Sequence, residues 1–534
     1  MATKKKNSKT TKSSSTSKIN KTTAGKKKAT GKRAATDENV GPPIEPSTDS
    51  VGEISAVDGM VFTWEDDPMA NPVRHPIQVP EPTLPAGTLG ITIVEPAPPA
   101  QLHPVGTSKF RYWAAAEALT RGMKFWQRFL PAGTRWSTPD GKLRVNLDLD
   151  VDLNAYYRRG MSRLEFYHST VGGRTVYSGE SPNIVCHELG HAVLDAIRPQ
   201  LFNVASIEAA AFHESFGDIS AILSALQLDS TVQEIINETG GRLNRSTFLS
   251  RMAEELGWAI RQINPQAVEP DCLRNAVNSF FYRDPTTLPT SAPAAVLSSA
   301  PHSFSRIFTG AFYDALAGMV TTDNATPTVQ SIQKVSRDAG QLLIDAIGKA
   351  PVVPNYFSQV AAQVIAADAA RFRKKYRDVL KGAFVRHGVL SLEASATITS
   401  APTPITAAAG IFDASKGGSY ASQTKEDLIF VPVPATDLGF SAESILCAAP
   451  GEIGGFPMAA ASALDTGSLP ASSHKNAVMS FVADLLRLGR IDIGGHGDAD
   501  SQTAQPTVRK THTLVATKDG SPMLVRDTFD CGFD

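Results

Sequence analysis

The sequence predicts an α+β protein with a small N-terminal sheet half and a mainly helical C-terminal half. From Leu143 to Leu153, apolar residues alternate with polar ones, which is the period of a strand. Residues 110–130 instead repeat apolar side chains at helical intervals until Pro131 and Gly133, which end a helix. With 534 residues, 42% of them hydrophobic, the chain can form two or three folded units.

Composition and charge divide the chain into five segments. Residues 1–36 hold twelve Lys or Arg and no acid, so they cannot bury enough apolar surface to fold. We expect this tail to make weak contacts with polyanions or to act as a solubilising extension. The expected segments are a disordered basic tail at 1–36, a Pro-rich linker or wrapping segment at 37–107, the main folded domain at 108–392, a linker at 393–425 and a C-terminal α+β region of unknown role at 426–534.

Caps and turns place the remaining elements. Ser181 followed by Pro182 begins a helix that ends before Pro199. Three aspartates alternate with the apolar residues of 143–153, and a solvated strand face is favoured there over a calcium site, which needs converging oxygens. The other expected elements are an added strand near 90–94, a strand at 164–168, helices at 206–227, from 302 and at 474–492, a strand at 428–431 and a β-hairpin at 511–528.

The spacing of the cysteines and the length of the apolar runs limit the cellular compartments in which the protein is expected. The four cysteines are widely spaced and lack a C-x-x-C pair, so neither a disulfide framework nor a thiolate zinc site is expected. No apolar run has transmembrane length, and the N-terminus lacks the apolar core of a signal peptide. We therefore expect a cytoplasmic protein without membrane contact, or one exported without a cleaved signal.

The most informative stretch is His187-Glu188-Leu189-Gly190-His191, an H-E-x-x-H pattern. On a helix, the two histidines are one turn apart on the same face, where both can bind one zinc ion. Glu188 lies beside them and is placed to take a proton from a water molecule on the metal. The pattern therefore predicts metal-assisted hydrolysis.

A carboxylate from the next helix can complete the site. Glu214 lies 23 residues beyond His191, enough for a turn and an antiparallel helix to bring it back to the metal. Asp218, one turn later, can accept the N–H of a ligand imidazole. Glu208 and His213 are competing ligands, and a solvated acidic stripe is the alternative interpretation.

These segments resemble the thermolysin-like family of zinc endopeptidases over roughly 108–392. The sequence IVCHELGHAVLD at 184–195 is similar to the family's metal helix, and FHESFGDI at 212–219 is similar to its third-ligand segment. The resemblance implies a zincin fold, Zn²⁺ bound by His187, His191 and Glu214, Asp218 as the outer carboxylate, and cleavage of a peptide or protein substrate.

The resemblance also implies residues that contact the substrate. Asn154-Ala155-Tyr156 looks like the family's substrate-binding edge strand, and HSFSRIFTGAFY from His302 resembles the segment with its transition-state histidine. Arg283 stands where the family keeps an arginine that holds a substrate carbonyl. A further similarity, at 380–389, is to the closing helix of the family.

Two departures leave alternatives open. Leu297 replaces the family's acidic partner of the catalytic histidine, and its active-site tyrosine falls near Phe202. One alternative is a catalytically weak or inactive zinc protein that binds peptides. Another is a nucleic-acid-associated protein that acts through the basic tail.

Overall fold

The structure is a computed structural model that describes residues 59–70, 75–398, 428–434, 443–451, 474–493 and 509–531. All of its described elements belong to one compact unit, Ala56–Asp534. The chain is mixed α+β, with a sheet-containing N-terminal half and a helical half after it, as predicted. The predicted tail at 1–36, the start of the Pro-rich segment and most of the linker at 393–425 lie outside the described residues.

The described ranges contain sixteen strands, most of which are four to six residues long. They are β1 (Met60–Thr63), β2 (Ile77–Pro80), β3 (Ile91–Ile93), β4 (Leu143–Asn146), β5 (Ala155–Arg158), β6 (Arg163–Phe166), β7 (His168–Val171), β8 (Arg174–Tyr177), β9 (Arg251–Met252), β10 (Arg274–Asn275), β11 (Ile429–Pro434), β12 (Ser444–Ala449), β13 (Ile491–Asp492), β14 (His512–Ala516), β15 (Pro522–Arg526) and β16 (Phe529–Asp530).

The helices carry most of the core. They are α1 (Ser108–Trp126), α2 (Pro182–Ile197), α3 (Gln200–Asn203), α4 (Ile207–Ala225), α5 (Asp229–Thr239), α6 (Glu254–Ile263), α7 (Pro301–Asp323), α8 (Val329–Ile347), α9 (Tyr356–Phe372), α10 (Arg377–Arg386), α11 (Leu392–Thr397) and α12 (His474–Arg487). None of the helices in the described part of the chain is long and apolar enough to span a bilayer.

The five-stranded sheet of the N-terminal half has the order β16-β5-β6-β4-β3. Strands β3, β4 and β6 run parallel, whereas β5 is antiparallel to β6 and β16 is antiparallel to β5. The strand expected near 90–94 is confirmed as β3. The last described residues of the chain thus form an edge strand of a sheet that begins more than 400 residues earlier.

The strand expected over 143–153 is wrong in length, because β4 ends at Asn146. The carboxylate of Asp150 accepts the N–H of Val151 at 2.7 Å, and that of Asp152 accepts the N–H of Leu153 at 2.9 Å. Such local bonds give the backbone an alternative to ladder pairing. The alternating pattern therefore continues into a loop.

The helices predicted around the H-E-x-x-H pattern are confirmed. Helix α2 begins at Pro182, and the Ser181 hydroxyl accepts the N–H of Ile184 at 3.4 Å as its N-cap. Helix α4 is capped in the same way by Ser206, and α7 begins at Pro301. Helix α2 packs against α4, and α4 packs against α7, so the two outer helices flank α4.

Two glycines allow α2 and α4 to approach closely. A Cβ at Gly190 would lie 2.7 Å from Ser220 Oγ and 2.9 Å from the Cα of Gly217. A Cβ at Gly217 would lie 2.6 Å from two ring atoms of His187. The absent side chains thus leave room for the His187 ring between the helices.

The C-terminal region is a second sheet, ordered β11-β12-β15-β14-β13, with α12 beside it. Strands β14 and β15 form the predicted hairpin, and the strand expected at 428–431 is confirmed as part of β11. The region contacts the helical half directly. The Ala205 N–H donates to the Ala448 carbonyl at 2.7 Å, and the Ser299 hydroxyl donates to Asp484 at 2.6 Å.

Candidate metal centre

Two neighbouring helices bring the predicted metal ligands together. Helix α2 carries His187, Glu188 and His191, and α4 carries Glu214. The two imidazoles lie on one face of α2, with ring centroids 4.8 Å apart. Each of the four side chains is buried, with an exposed fraction of 1% or less.

The side chains converge in the way a cation site requires. Atoms of His187, Glu188 and His191 that can bind a metal lie within 4.8 Å of one another, so this group could hold a metal ion. Glu214 Oε2 lies 3.3 Å from His187 Nε2, and Glu214 Oε1 lies 3.7 Å from His191 Nε2. Both Nε2 atoms and Glu214 Oε2 are buried without a hydrogen bond, which is rare for buried polar atoms. Two imidazoles and a carboxylate are a donor set that zinc accepts.

The two carboxylates differ in their electrostatics. Burial raises the pKa of Glu188 to about 8, and the nearby Glu214 carboxylate adds to the shift although His187 opposes it. Burial also disfavours ionised Glu214, but the neighbouring His302 outweighs it, and the pKa of Glu214 lies well below its usual value. Glu214 is therefore the anionic ligand of choice, whereas Glu188 changes its protonation near neutral pH.

His187 is held by a carboxylate on its outer nitrogen. Its Nδ1 lies 3.0 Å from Asp218 Oδ1, and Arg274 Nη2 donates to the same oxygen at 2.8 Å. Burial alone raises the pKa of Asp218, but Arg274 and His187 outweigh it and lower that pKa to about 2. An Nδ1–H that donates to Asp218 leaves the Nε2 lone pair free to bind a cation.

His191 has a different outer partner. Its Nδ1 lies 3.4 Å from Nδ1 of His213. Burial lowers the pKa of His191 to about 3 and that of His213 well below its usual value, so both rings are neutral and one donates to the other. His213, a competing third ligand in the sequence, therefore contacts a ligand ring.

Glu208, the other competing ligand, lies outside the cluster. It accepts the hydroxyl of Tyr282 at 2.5 Å and the N–H of Phe357 at 2.8 Å. Burial raises the pKa of Glu208 to about 8, and these two hydrogen bonds oppose the shift. Its contacts tie α4 to the residues around α7 and α9.

His302 lies beside the metal cluster at the start of α7. Its Nε2 is 3.2 Å from Glu214 Oε2 and 2.6 Å from the backbone carbonyl of Asp530. The side chain is buried. Leu297, in the position of the family's acidic partner, is buried in the apolar core, so the ring is oriented by Glu214 and Asp530 instead.

The predicted substrate-binding strand is already paired. Strand β5 contains Ala155 and Tyr156, and Asn154 precedes it with its side-chain oxygen on the Ala155 N–H at 2.9 Å. Antiparallel β16 pairs Asp530 with Tyr156. The edge along which a peptide was expected to bind is covered by the chain's own C-terminal segment.

Arg283 is exposed to solvent, whereas the side chains of the metal cluster are buried. The arginine at the site is Arg274, in β10, which the sequence reasoning missed. No periodic pattern marks Arg274 in the sequence. Two buried carboxylates, Asp218 and Glu214, require a cation nearby, and this electrostatic requirement is the signal that could have indicated an arginine.

Phe202 is buried beside the site. Its ring packs edge-on against Tyr157 at 5.9 Å and against Phe529 at 5.5 Å, and the guanidinium of Arg159 lies 4.0 Å from its centroid. It supplies packing where the family resemblance would place a hydroxyl.

A scan against protein-family models gives no match for this chain, and neither does a search of curated proteins.

Proposed function

We propose that this protein is a zinc-dependent endopeptidase with the zincin fold of the thermolysin-like family. The observation that carries the proposal is the convergence of His187 Nε2, His191 Nε2 and Glu214 Oε2, all buried without a hydrogen bond, beside Glu188. Two His and one Glu are a known ligand set of catalytic zinc sites, which keep a fourth position open.

Zinc bound by His187, His191 and Glu214 would supply a Lewis acid that acidifies water and polarises a peptide carbonyl. Glu188 accepts the proton of the attacking water and returns it to the leaving amine. Burial raises the pKa of Glu188 above that of a free carboxyl, and this direction suits the role because a proton carrier works best near the operating pH. A metal site with a purely structural role would not need a proton carrier such as Glu188.

One further residue and one strand support peptide hydrolysis. The Nε2–H of His302 donates to a backbone carbonyl at 2.6 Å beside Glu214, so the same N–H is placed to stabilise an oxyanion at the cluster. Strand β5 offers backbone groups that pair with an extended antiparallel chain. A bound peptide would therefore lie across the cluster in the direction that β16 follows.

The test compares metal content and cleavage of an unstructured protein in wild type and Glu188→Gln. The C-terminal segment that covers β5 includes Cys531, whose N–H donates to the Ala155 carbonyl. Both proteins are therefore also assayed in a Cys531→Ser background, which removes the thiol of this segment. We expect zinc in all four proteins, and cleavage that Glu188→Gln lowers by several orders of magnitude. A chain without zinc, or cleavage that is equal with and without Glu188 in both backgrounds, would contradict the proposal.

The closed site also supports a second candidate, a zinc protein that binds peptides without cleaving them. Its motivating observation is that the metal cluster has no exposed side chain while β5 holds a strand. Tight peptide binding by the Cys531→Ser chain, with no cleavage at any pH, would favour this candidate.

A further inference from the structure

The C-terminal segment lies where a peptide substrate would lie. Phe529 pairs with Tyr157 and Asp530 with Tyr156 in antiparallel register, and the N–H of Cys531 donates to the Ala155 carbonyl at 3.0 Å. Three consecutive residues thus extend along β5 as an added strand does in β-augmentation.

The segment also contacts the cluster through its backbone. The carbonyl of Asp530 accepts the Nε2–H of His302 at 2.6 Å. In the proposed reaction this N–H stabilises the oxygen of the peptide bond under attack. The Asp530 carbonyl therefore occupies the position expected for a substrate carbonyl, although its residue belongs to the same chain.

Side-chain alternation turns Phe529 and Cys531 to the same face of this segment. The Phe529 ring stacks on His191 at a centroid distance of 4.8 Å and on His213 at 4.1 Å. The Asp530 carboxylate between them pairs with Arg490 at 3.1 Å. The Cys531 side chain therefore leaves the segment on the same side as Phe529, which contacts the ligand His191.

The surroundings of Cys531 fit a metal ligand. The residue is 2% exposed, and the charged groups that act on its thiol are Glu188, Arg274, Glu214 and Asp218. A free cysteine in such a place is commonly a small buried apolar residue. Here the charged groups around it are three carboxylates and an arginine, which is a polar setting. Thiolate sulfur is a strong zinc ligand, and the two His and Glu214 leave a fourth position for it.

We propose that residues 529–531 act as a built-in inhibitor of the metal centre, with the Cys531 sulfur as the fourth ligand of the cation. This proposal rests on the proposed function, because it assumes that His187, His191 and Glu214 hold zinc. The S–H bond breaks as the sulfur–metal bond forms, the proton goes to solvent, and no electron is transferred. The sulfur then excludes the water that Glu188 would activate.

Tethering makes such inhibition effective. A segment that belongs to the same chain reaches its site at an effective concentration on the order of mM, so a modest affinity keeps the site closed. The C-terminal sheet holds the segment in place, since β15 ends at Arg526 and the guanidinium of that residue lies 4.2 Å from the Phe529 ring. Activity then requires that the segment leave β5.

The first test reads the ligand set without an activity assay. Zinc is replaced by Co²⁺ in the full-length wild type, Cys531→Ser and Cys447→Ser, and the absorption spectrum of each is recorded. Cys447 is the matched control, because it is also buried and lies in β12. We expect thiolate-to-cobalt charge-transfer absorption in wild type and Cys447→Ser, and its loss in Cys531→Ser. A cobalt-loaded wild type without this absorption would overturn the proposal.

The second test measures cleavage by the same zinc-loaded proteins. If about a tenth of wild-type molecules are open, Cys531→Ser raises kcat/KM roughly tenfold, while Cys447→Ser changes nothing. A synthetic peptide TFDCGFD, the sequence from Thr528 to the end of the chain, should inhibit the Cys531→Ser protein. The same peptide with serine in place of cysteine should inhibit it more weakly.

The outcomes separate the two proposals. Equal cleavage by wild type and Cys531→Ser, dependent on Glu188 in both, overturns the inhibitory role and leaves the endopeptidase proposal intact. Charge-transfer absorption in wild type, together with no cleavage by zinc-loaded Cys531→Ser, keeps the sulfur ligand and overturns the endopeptidase proposal.

Discussion

At the metal centre, the two imidazoles differ in what holds their outer nitrogen. His187 donates to Asp218, whose charge is balanced by Arg274, whereas His191 contacts a neutral His213. A carboxylate partner makes an imidazole a stronger ligand than a neutral partner does. We therefore expect Asp218 to raise metal affinity although it is not itself a ligand.

Replacing Asp218 with asparagine tests this contribution. We expect Asp218→Asn to lower zinc affinity about 10- to 100-fold, because the His187 ring loses an anionic acceptor and Arg274 loses its counter-ion. Asp345→Asn is the matched control, since Asp345 pairs with Arg371 on the surface. Competition with a chelator gives the affinities, and equal affinities in both variants would show that Asp218 has no role at the metal.

Glu214 could be predicted from the sequence, whereas Arg274 could not. The i and i+4 spacing and the caps Ser181 and Ser206 place the ligand helices, so the cluster of His187 with Glu214 could be predicted. Arg274 belongs to a two-residue strand with no periodic pattern. Its position depends on tertiary contacts, which leave no local signal.

At the scale of elements, the crossing of α2 and α4 determines the geometry of the ligands. Gly190 and Gly217 let the two helices approach until the His187 ring fits between them. A helix normally loses about 0.5–1 kcal/mol for each internal glycine relative to alanine. Close packing at the metal ligands offsets that cost here.

Gly217→Ala tests the crossing. Its Cβ would lie 2.6 Å from the His187 ring, so we expect the free energy of unfolding to fall by about 1–3 kcal/mol and zinc affinity to fall with it. In Gly382→Ala, on α10, the added Cβ meets no atom within 4 Å. That control should be neutral or slightly stabilising in denaturant unfolding. If the two variants behave alike, the close approach has no consequence.

The C-terminal sheet contains a titratable group that should make its stability depend on pH. His512, in β14, is buried, and burial together with Arg526 and Arg490 lowers its pKa well below the usual value. The folded state therefore prefers the neutral ring. The neutral His512 ring contributes its full stabilisation of the folded state above the unfolded-state histidine pKa of about 6.5. This stabilisation is lost as pH falls below that value.

We expect the wild type to lose stability below pH 6.5 with a slope of up to about 1.4 kcal/mol per pH unit from this one group. Denaturant unfolding of wild type and His512→Asn between pH 5 and 8 isolates the contribution. The variant should show a shallower decline, while His75→Asn, at an exposed position, should match wild type. Parallel curves for wild type and His512→Asn would contradict this assignment.

Helices and strands could be predicted where the local sequence determines them, and could not be where contacts between distant parts of the chain determine them. The hairpin at β14 and β15 follows from Asp519-Gly520 and alternating residues. The 143–153 strand was predicted too long, because Asp150 and Asp152 bond to the neighbouring backbone. Strand β16 has two residues, too few for a period, and its partner lies some 370 residues away along the chain.

In the whole molecule, three distant parts of the described chain meet at the metal centre. The first sheet supplies β5, the helical half supplies the ligands, and the C-terminal region supplies the strand that covers them. The region at 426–534 had no predicted role. Its last strand pairs with β5 and brings Phe529 against His191, and the role we propose for it is to cover the metal centre.

A site closed in this way explains why each ligand side chain is buried. A peptide must reach His187 and Glu188 to be cleaved, yet neither is exposed by more than 1%. In the proposed inhibition, the C-terminal segment leaves β5 and uncovers the cluster while the ligand helices stay folded. We therefore expect metal binding to survive changes in this segment and activity to respond to them.

The proposed function requires that His187, His191 and Glu214 hold one zinc ion, with Glu188 beside it as the proton carrier. The decisive measurement is the zinc content per purified full-length chain, in wild type, Glu188→Gln, Glu214→Gln and the control Glu208→Gln. About one zinc per chain is expected in wild type, Glu188→Gln and Glu208→Gln, with loss only in Glu214→Gln. Absence of zinc from wild type, or a Glu214→Gln protein that binds it as wild type does, would show that these residues do not form the zinc site.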